Sequence, residues 1–144
     1  MAERTIREII EGQELLTAPA SMTVAEAARL MRQRNVGAMM VVEGDKLAGM
    51  FTERDALFRV VATGLDVTNT PLSVVMTKNP KTISPDRSFV QALGVMHEGR
   101  FRHLPVIEDG RPVGMISVRD AFGPELEAFI YELLRQEQVS QILA

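Results

Sequence analysis

The 144-residue chain contains no cysteine and no tryptophan, and only two histidines, one tyrosine and six phenylalanines. Without cysteine there is no disulfide, no thiolate zinc site and no thiol nucleophile. His97 and His103 alone leave little material for a metal cluster. Long apolar runs are missing as well: none reaches the roughly 7–15 residues of a signal-peptide core, still less the roughly 20 of a membrane span. The opening MAERTIREII is charged from its start. A soluble, cytoplasmic protein without a membrane partner is expected. Nor is there a surplus of cations, since 16 Lys and Arg stand against 19 Asp and Glu for a net charge of −3. Such a balance exerts no global pull on phosphate backbones, and with so few aromatics to stack bases, nucleic acid is disfavoured as a partner. No P-loop, no H-E-x-x-H and no nucleophile elbow occurs, so the chain is not expected to be an enzyme.

What is present is repetition. An offset of 65 residues aligns Thr17 with Thr82, Ala27 with Ala92, Met31 with Met96, Val41 with Val106 and Glu43 with Glu108. The same offset superposes GMFTERDA (49–56) on GMISVRDA (114–121) without a gap. Upstream it sets IREII (6–10) against PLSVV (71–75) and Thr5 against Thr70. The expected boundaries are 1–69 for the first repeat with its N-terminal segment and 70–144 for the second with a C-terminal helix. A half so small buries little surface alone, and the composition, 46% hydrophobic and 24% charged, is that of an ordinary globular protein.

Each repeat follows one local grammar. Thr23-x-x-Glu26 and Ser88-x-x-Gln91 are capping boxes announcing a helix. Behind them Val24, Ala27, Ala28 and Met31, and then Phe89, Ala92, Leu93 and Met96, recur at helical spacing and predict a buried stripe. Two hairpins follow, AMMVV (38–42) with LAGMF (47–51) across EGDK, and LPVI (104–107) with PVGMI (112–116) across EDGR. A helix over 53–62 closes the first repeat and stops at Gly64, and GLDVTNTP connects onward. In the second repeat Gly123-Pro124 interrupts a helix begun near Val118. A long helix then restarts, with Pro124 suited to its first position. Its Leu126, Phe129, Ile130, Leu133 and Leu134 share one side, either for packing within the chain or for self-association.

The duplicated ending admits two accounts. Thr52-x-x-Asp55 and Ser117-x-x-Asp120 are further capping boxes, with Gly49 and Gly114 allowing close strand packing. Alternatively, the helix start offers N–H donors and a hydroxyl to an anion, while the carboxylate accepts from a pair of hydroxyls such as a ribose diol. The identical phase of glycine, hydroxyl and carboxylate in both halves favours a ligand role, because any good cap would have served in either place.

These residues resemble a family. The doubled G-h-h-[TS]-x-x-D ending, the strand pair FRHLPVIEDGRPVGMIS, and the openings TAPASMTVAEAA (17–28) and VVMTKNPKTISPD (74–86) are similar to a tandem pair of cystathionine-β-synthase (CBS) domains, a stand-alone Bateman module. The resemblance runs from about residue 6 to 122 and leaves no catalytic domain over. It implies an α+β fold of two βαββα repeats packed with pseudo-twofold symmetry. It also implies clefts between the repeats for adenosine-containing regulatory ligands: AMP or ATP foremost, and ADP, NAD or S-adenosylmethionine besides.

Carried onto this chain, the family pattern assigns Asp55 and Asp120 to ribose hydroxyls, and Thr52 and Ser117 to ribose or phosphate. Thr17, Ala18 and Pro19, with Thr82, Ile83, Ser84 and Pro85, would surround the base. Arg100, Arg102 and His103 would reach phosphates. The first repeat has Gly37 and Ala38 where the second has Arg102 and His103, so two unequal sites are expected, the second favouring a phosphorylated ligand. A homodimer and a regulated partner protein are implied too. The competing function is a ligand-free adaptor acting through protein contacts.

Overall fold

The structure, a computed structural model, describes residues 4–121 and 123–143, and of 124 and 138–143 the backbone alone. It is a mixed helix and strand fold of two repeats. The elements run α1 (Ile6–Ile10), β1 (Thr17–Pro19), α2 (Val24–Arg34), β2 (Ala38–Glu43), β3 (Lys46–Thr52), α3 (Glu53–Asp55), α4 (Leu72–Val75), β4 (Thr77–Lys78), α5 (Phe89–Gly99), β5 (His103–Glu108), β6 (Arg111–Ser117) and α6 (Gly123–Leu143). α3 continues without a break into a π-helical stretch, Ala56–Val61, and a 3₁₀ turn, Val118–Asp120, precedes α6.

Two compact units divide the chain. The first holds Glu14–Lys81 and the hairpin tip Ile107–Val113. The second holds the described residues up to Gln13, then Thr82–Val106 and the chain from Gly114 onward.

In the first unit a four-stranded sheet runs β1-β2-β3-β4, with β1 parallel to β2 and the other pairs antiparallel. Gly44 has φ +60 at the β2–β3 turn. Val24, Ala27 and Met31 of α2 bury themselves with Met39, Val41, Phe51 and Val60, as the stripe predicts. Ala28, expected in that stripe, is exposed instead. A methyl group there faces water at little cost, because Val24, Ala27 and Met31 already fill the seam. The expected helix over 53–62 exists, but its second half is π-helical: the Ala62 amide donates to the Leu57 carbonyl at 2.9 Å, five residues back. Gly64, at φ +71, ends it.

In the second unit Phe89, Ala92, Leu93 and Met96 of α5 are buried with Leu104, Val106 and Ile116 of the hairpin. At the tip of that hairpin, which belongs to the first unit, Asp109 and Gly110 both have positive φ, as a two-residue type I′ turn requires. The helix expected from Val118 is a single 3₁₀ turn. Ala121 is extended at ψ 132, and Pro124 lacks the N–H that a continuing helix needs. α6 starts at Gly123, with Pro124 next in sequence; the ring of Pro124 lies outside the described side chains. Part of the α6 stripe packs within the unit, where Phe129 meets the His97 ring edge-on at 5.6 Å. Leu126, Ile130 and Leu134 of the same stripe stay exposed.

The short helices are exchanged between repeats. α4, ahead of the second repeat in sequence, closes the first unit: the Leu72 amide donates to Met22 O at 2.8 Å and the Val24 amide to Thr70 O at 2.9 Å. α1, ahead of the first repeat, closes the second unit, with Ile6 N to Arg87 O and Phe89 N to Arg4 O both at 2.9 Å. Met22 and Arg87 are 65 apart, whereas Leu72 and Ile6 are 66 apart, so the helices correspond one residue out of step with the sequence repeat.

The duplicated glycines are explained at this point. A Cβ on Gly49 would lie 2.6 Å from Thr77 O, and one on Gly114 would lie 2.6 Å from Ile10 Cγ2. Each lets the incoming segment approach the strand. β4 pairs with β3 in the first unit, and in the second the side chain of Gln13 takes that place, its amide bonded both ways to the Met115 backbone at 2.8 Å.

Candidate functional site

Both predicted capping boxes at the duplicated motif are formed, but the two carboxylates have different surroundings. Thr52 ends β3 and Asp55 sits three residues on, so the Asp55 amide donates to Thr52 Oγ1 while the Thr52 amide donates to Asp55 Oδ2, each at 3.1 Å. The Thr52 hydroxyl also donates to Oδ2 at 3.1 Å. Thr77 on β4 adds a hydroxyl shared between Oδ1 (3.1 Å) and Oδ2 (3.2 Å). Arg59, one helical turn along, brings Nε to 3.4 Å from Oδ1, and its Nη1 also donates to the Met76 carbonyl at 3.0 Å. Asp55 is 5% exposed. A carboxylate has about four acceptor positions, and this one is nearly filled from within the first unit.

Asp120 is half-buried and lightly held. Its Oδ2 accepts from the Ser117 amide at 2.8 Å. Among the described residues, Oδ1 takes no hydrogen bond. The Ser117 hydroxyl accepts from the Arg119 amide at 3.2 Å. Part of the difference lies in the sequence: the position matching Arg59 is Pro124, which has no charge to offer, and no hydroxyl of a described residue reaches Asp120 as Thr77 reaches Asp55.

In both repeats the start of the hairpin is drawn to the cap. The Val118 amide donates to Arg102 O at 3.2 Å, as the Glu53 amide does to Gly37 O at 2.9 Å. Arg102, His103, Ser117 and Asp120 are thereby gathered at one end of β5–β6. Arg102 is exposed and His103, the first residue of β5, is half-buried. Arg100 is the C-cap of α5, in the left-handed region at φ 58, with its amide bonded to the His97 and Met96 carbonyls and its side chain exposed. Along the other edge of β5, Ile83 pairs in parallel with Val106 and its amide donates to Pro105 O at 3.1 Å, which sets Thr82, Ser84 and the buried Pro85 beside that strand. In the first unit Thr17, Ala18 and Pro19 form β1 alongside Met40, Val41 and Val42, with Ala38 opposite Thr52. No group of three or more His, Asp or Glu able to hold a metal occurs among the described residues. Nor is any of their helices long and apolar enough to cross a membrane.

Two residues without any signal in the sequence belong to this region. Arg4 donates through Nε to both carboxylate oxygens of Glu125, at 3.1 Å each, and through Nη2 to the carbonyl of Asp120 at 2.8 Å. Its guanidinium also lies 5.7 Å from the centre of the Phe89 ring. Hydrogen bonding to the 7%-exposed Glu125 raises the Arg4 pKa above its ordinary value, against the opposing effect of burial. Thr77 and Arg59 are the corresponding surprises in the first unit. Only Arg59, at i+4 from Asp55, carried a local hint.

Comparison with known proteins shows the family and the fold. The CBS domain family model matches residues 6–62 and 72–123, and the chain belongs to the CBS-domain family. It is 38% identical over 117 residues to the CBS domain-containing protein CBSCBSPB1 of Arabidopsis thaliana, covering 81% of this chain and 21% of that protein. The chain thus spans about a fifth of the length of such relatives. With the CBS domain-containing protein YhcV of Bacillus subtilis it shares 37% over 107 residues, 74% of this chain and 76% of that one. Among solved structures, a putative signal-transduction protein with CBS domains from Burkholderia ambifaria superposes with a TM-score of 0.77 at 33% identity, over 81% of this chain and 90% of that one. The CBS domain protein PAE2072 from Pyrobaculum aerophilum, complexed with AMP, shares the fold with a TM-score of 0.80 at 23% identity, over 89% and 99%.

Proposed function

We propose that the second unit binds an adenosine-containing nucleotide as a regulatory ligand, AMP or ATP first, NAD or S-adenosylmethionine within the same class. Occupancy then acts on a partner protein rather than entering a reaction. The observation that carries this reading is Oδ1 of Asp120, to which no described residue donates, beside the cap at Ser117, with Arg102 and His103 drawn to the same strand end. A diol donates two hydrogen bonds and needs a carboxylate with unused acceptor positions. A phosphate needs cations, and a sheltered charge-assisted contact contributes about 1.5–3 kcal/mol. Asp120 and Ser117 take the ribose, Arg102 and His103 with Arg100 take phosphate, and Thr82, Ile83, Ser84 and Pro85 line the base.

Thr17, Ala18, Pro19, Thr52 and Asp55 form the matching set in the first unit. It is the weaker one, since Asp55 is already engaged and Gly37 and Ala38 bring no charge. That same saturation favours a second reading, a ligand-free adaptor. The protein is further proposed to be cytoplasmic and homodimeric. Exposed Leu57, Phe58 and Val61 in the first unit, and Leu126, Ile130 and Leu134 in the second, are the apolar surfaces that support association.

A melting panel with AMP, ATP, NAD and S-adenosylmethionine tests the ligand reading. A ligand at 100 times its Kd stabilises the fold by about 2.7 kcal/mol, roughly 8 °C in Tm for a chain of this size. The rise should vanish in Asp120→Asn. An unmoved melt with all four ligands hands the function to the adaptor.

A further inference from the structure

We infer that Arg4 is a positioning residue for the diol site of the second unit. It fixes the turn that carries Asp120 and ties that turn to Glu125 at the head of α6. This rests on the ligand reading above and deepens it. The turn Val118–Asp120 is short, and its own bonds are the Ala121 amide to Val118 O at 3.3 Å and the contacts of the cap. Asp55 has its carboxylate anchored by Thr77 and Arg59, whereas Asp120 has neither, and its backbone carbonyl is held instead by Arg4 Nη2 at 2.8 Å.

One planar guanidinium spans both partners, because its Nε faces the two Glu125 oxygens while Nη2 donates both to Glu125 Oε1 and to the Asp120 carbonyl. A lysine offers one nitrogen where the guanidinium uses two, so it would lose the bonds that Nε makes to Glu125. The Phe89 ring beneath it and the Phe89 amide, bonded to Arg4 O at 2.9 Å, keep the arm in place. Glu125 is buried and its charge is met by Arg4, so the clamp resists loosening: removing either partner strands the other. Ligand bound at Asp120 therefore strengthens the docking of α6 and of the N-terminal segment, and loosening the clamp weakens diol recognition specifically.

The test compares AMP with 2′-deoxy-AMP by calorimetry in the 144-residue chain and in its Arg4→Gln variant, with hydrogen exchange followed at the Val118 and Ala121 amides. Wild type should prefer AMP. In Arg4→Gln the AMP Kd should rise about tenfold while that of the deoxy ligand holds, so the preference collapses. Exchange at Val118 and Ala121 should quicken by a similar factor, and that of Ala92 in α5 should not. Equal weakening of both ligands, or an intact preference with unchanged exchange, overturns the inference. Should Arg4→Gln fail to fold, Arg4→Lys carries the same comparison. A wild-type protein that binds neither ligand sinks the site itself, and the exchange measurement then still decides whether Arg4 holds the turn.

Discussion

Neutralising the two duplicated carboxylates should have unequal consequences for stability. Asp55→Asn keeps the shape but removes the charge facing Arg59, and it turns one oxygen into a donor. Every group around that position donates: the Thr52 amide and hydroxyl, the Thr77 hydroxyl and the Arg59 guanidinium, all within 3.4 Å. One charge-assisted contact is lost and one donor is left facing another in a site 5% exposed, for a combined cost of about 3 kcal/mol. Tm should fall by roughly 9 °C. In Asp120→Asn the amide oxygen can still accept from Ser117 N, and its NH₂ turns to the side where no described residue bonds, so the cost stays below about 1 kcal/mol. Thermal melts and urea titrations at unchanged m-value measure both. Equal losses, or a larger loss at Asp120, would refute the distinction between a caged carboxylate and an available one.

Gly49→Ala should destabilise by about 1–3 kcal/mol, because its Cβ meets the Thr77 carbonyl and β4 must retreat, taking the Thr77 hydroxyl from Asp55; the urea midpoint reports it, and a relieved loss in Gly49→Ala combined with Thr77→Ala would confirm the route. Arg100→Gly should stabilise by about 0.5–1 kcal/mol, since glycine tolerates φ 58 where arginine is strained. The same variant should weaken the AMP complex, so a higher Tm with lower affinity in calorimetry is the signature that Arg100 serves the ligand through its side chain.

What could be read in the sequence was local. The capping boxes at Thr52 and Ser117, the α5 stripe, the hairpin turns and the stop at Gly64 all depend on residues within a few positions of one another, and the period of the pattern reveals them. The exchange of α1 and α4 was hidden, because the sequence repeat pairs Thr5 with Thr70 while the backbone pairs Ile6 with Leu72. The cage around Asp55 was hidden for the same reason: Thr77 comes from a strand 22 residues away that has no periodicity of its own. Identical letters in the two motifs suggested identical roles. Pro124, standing where Arg59 would, set the carboxylates apart, yet a proline at a helix start reads as punctuation rather than as a missing ion pair.

The exchanged helices have a consequence for how the chain is made. Everything the first unit takes from Glu14 to Lys81 is contiguous, so most of it can form while the remainder is still on the ribosome. The second unit is interrupted: its segment 4–10 lies ahead of the first unit in the chain, yet its partners Pro85, Arg87 and Glu125 come at least 75 residues later. Closing so wide a loop is slow, and the segment around α1 must wait, exposed, until α5 and α6 are in hand.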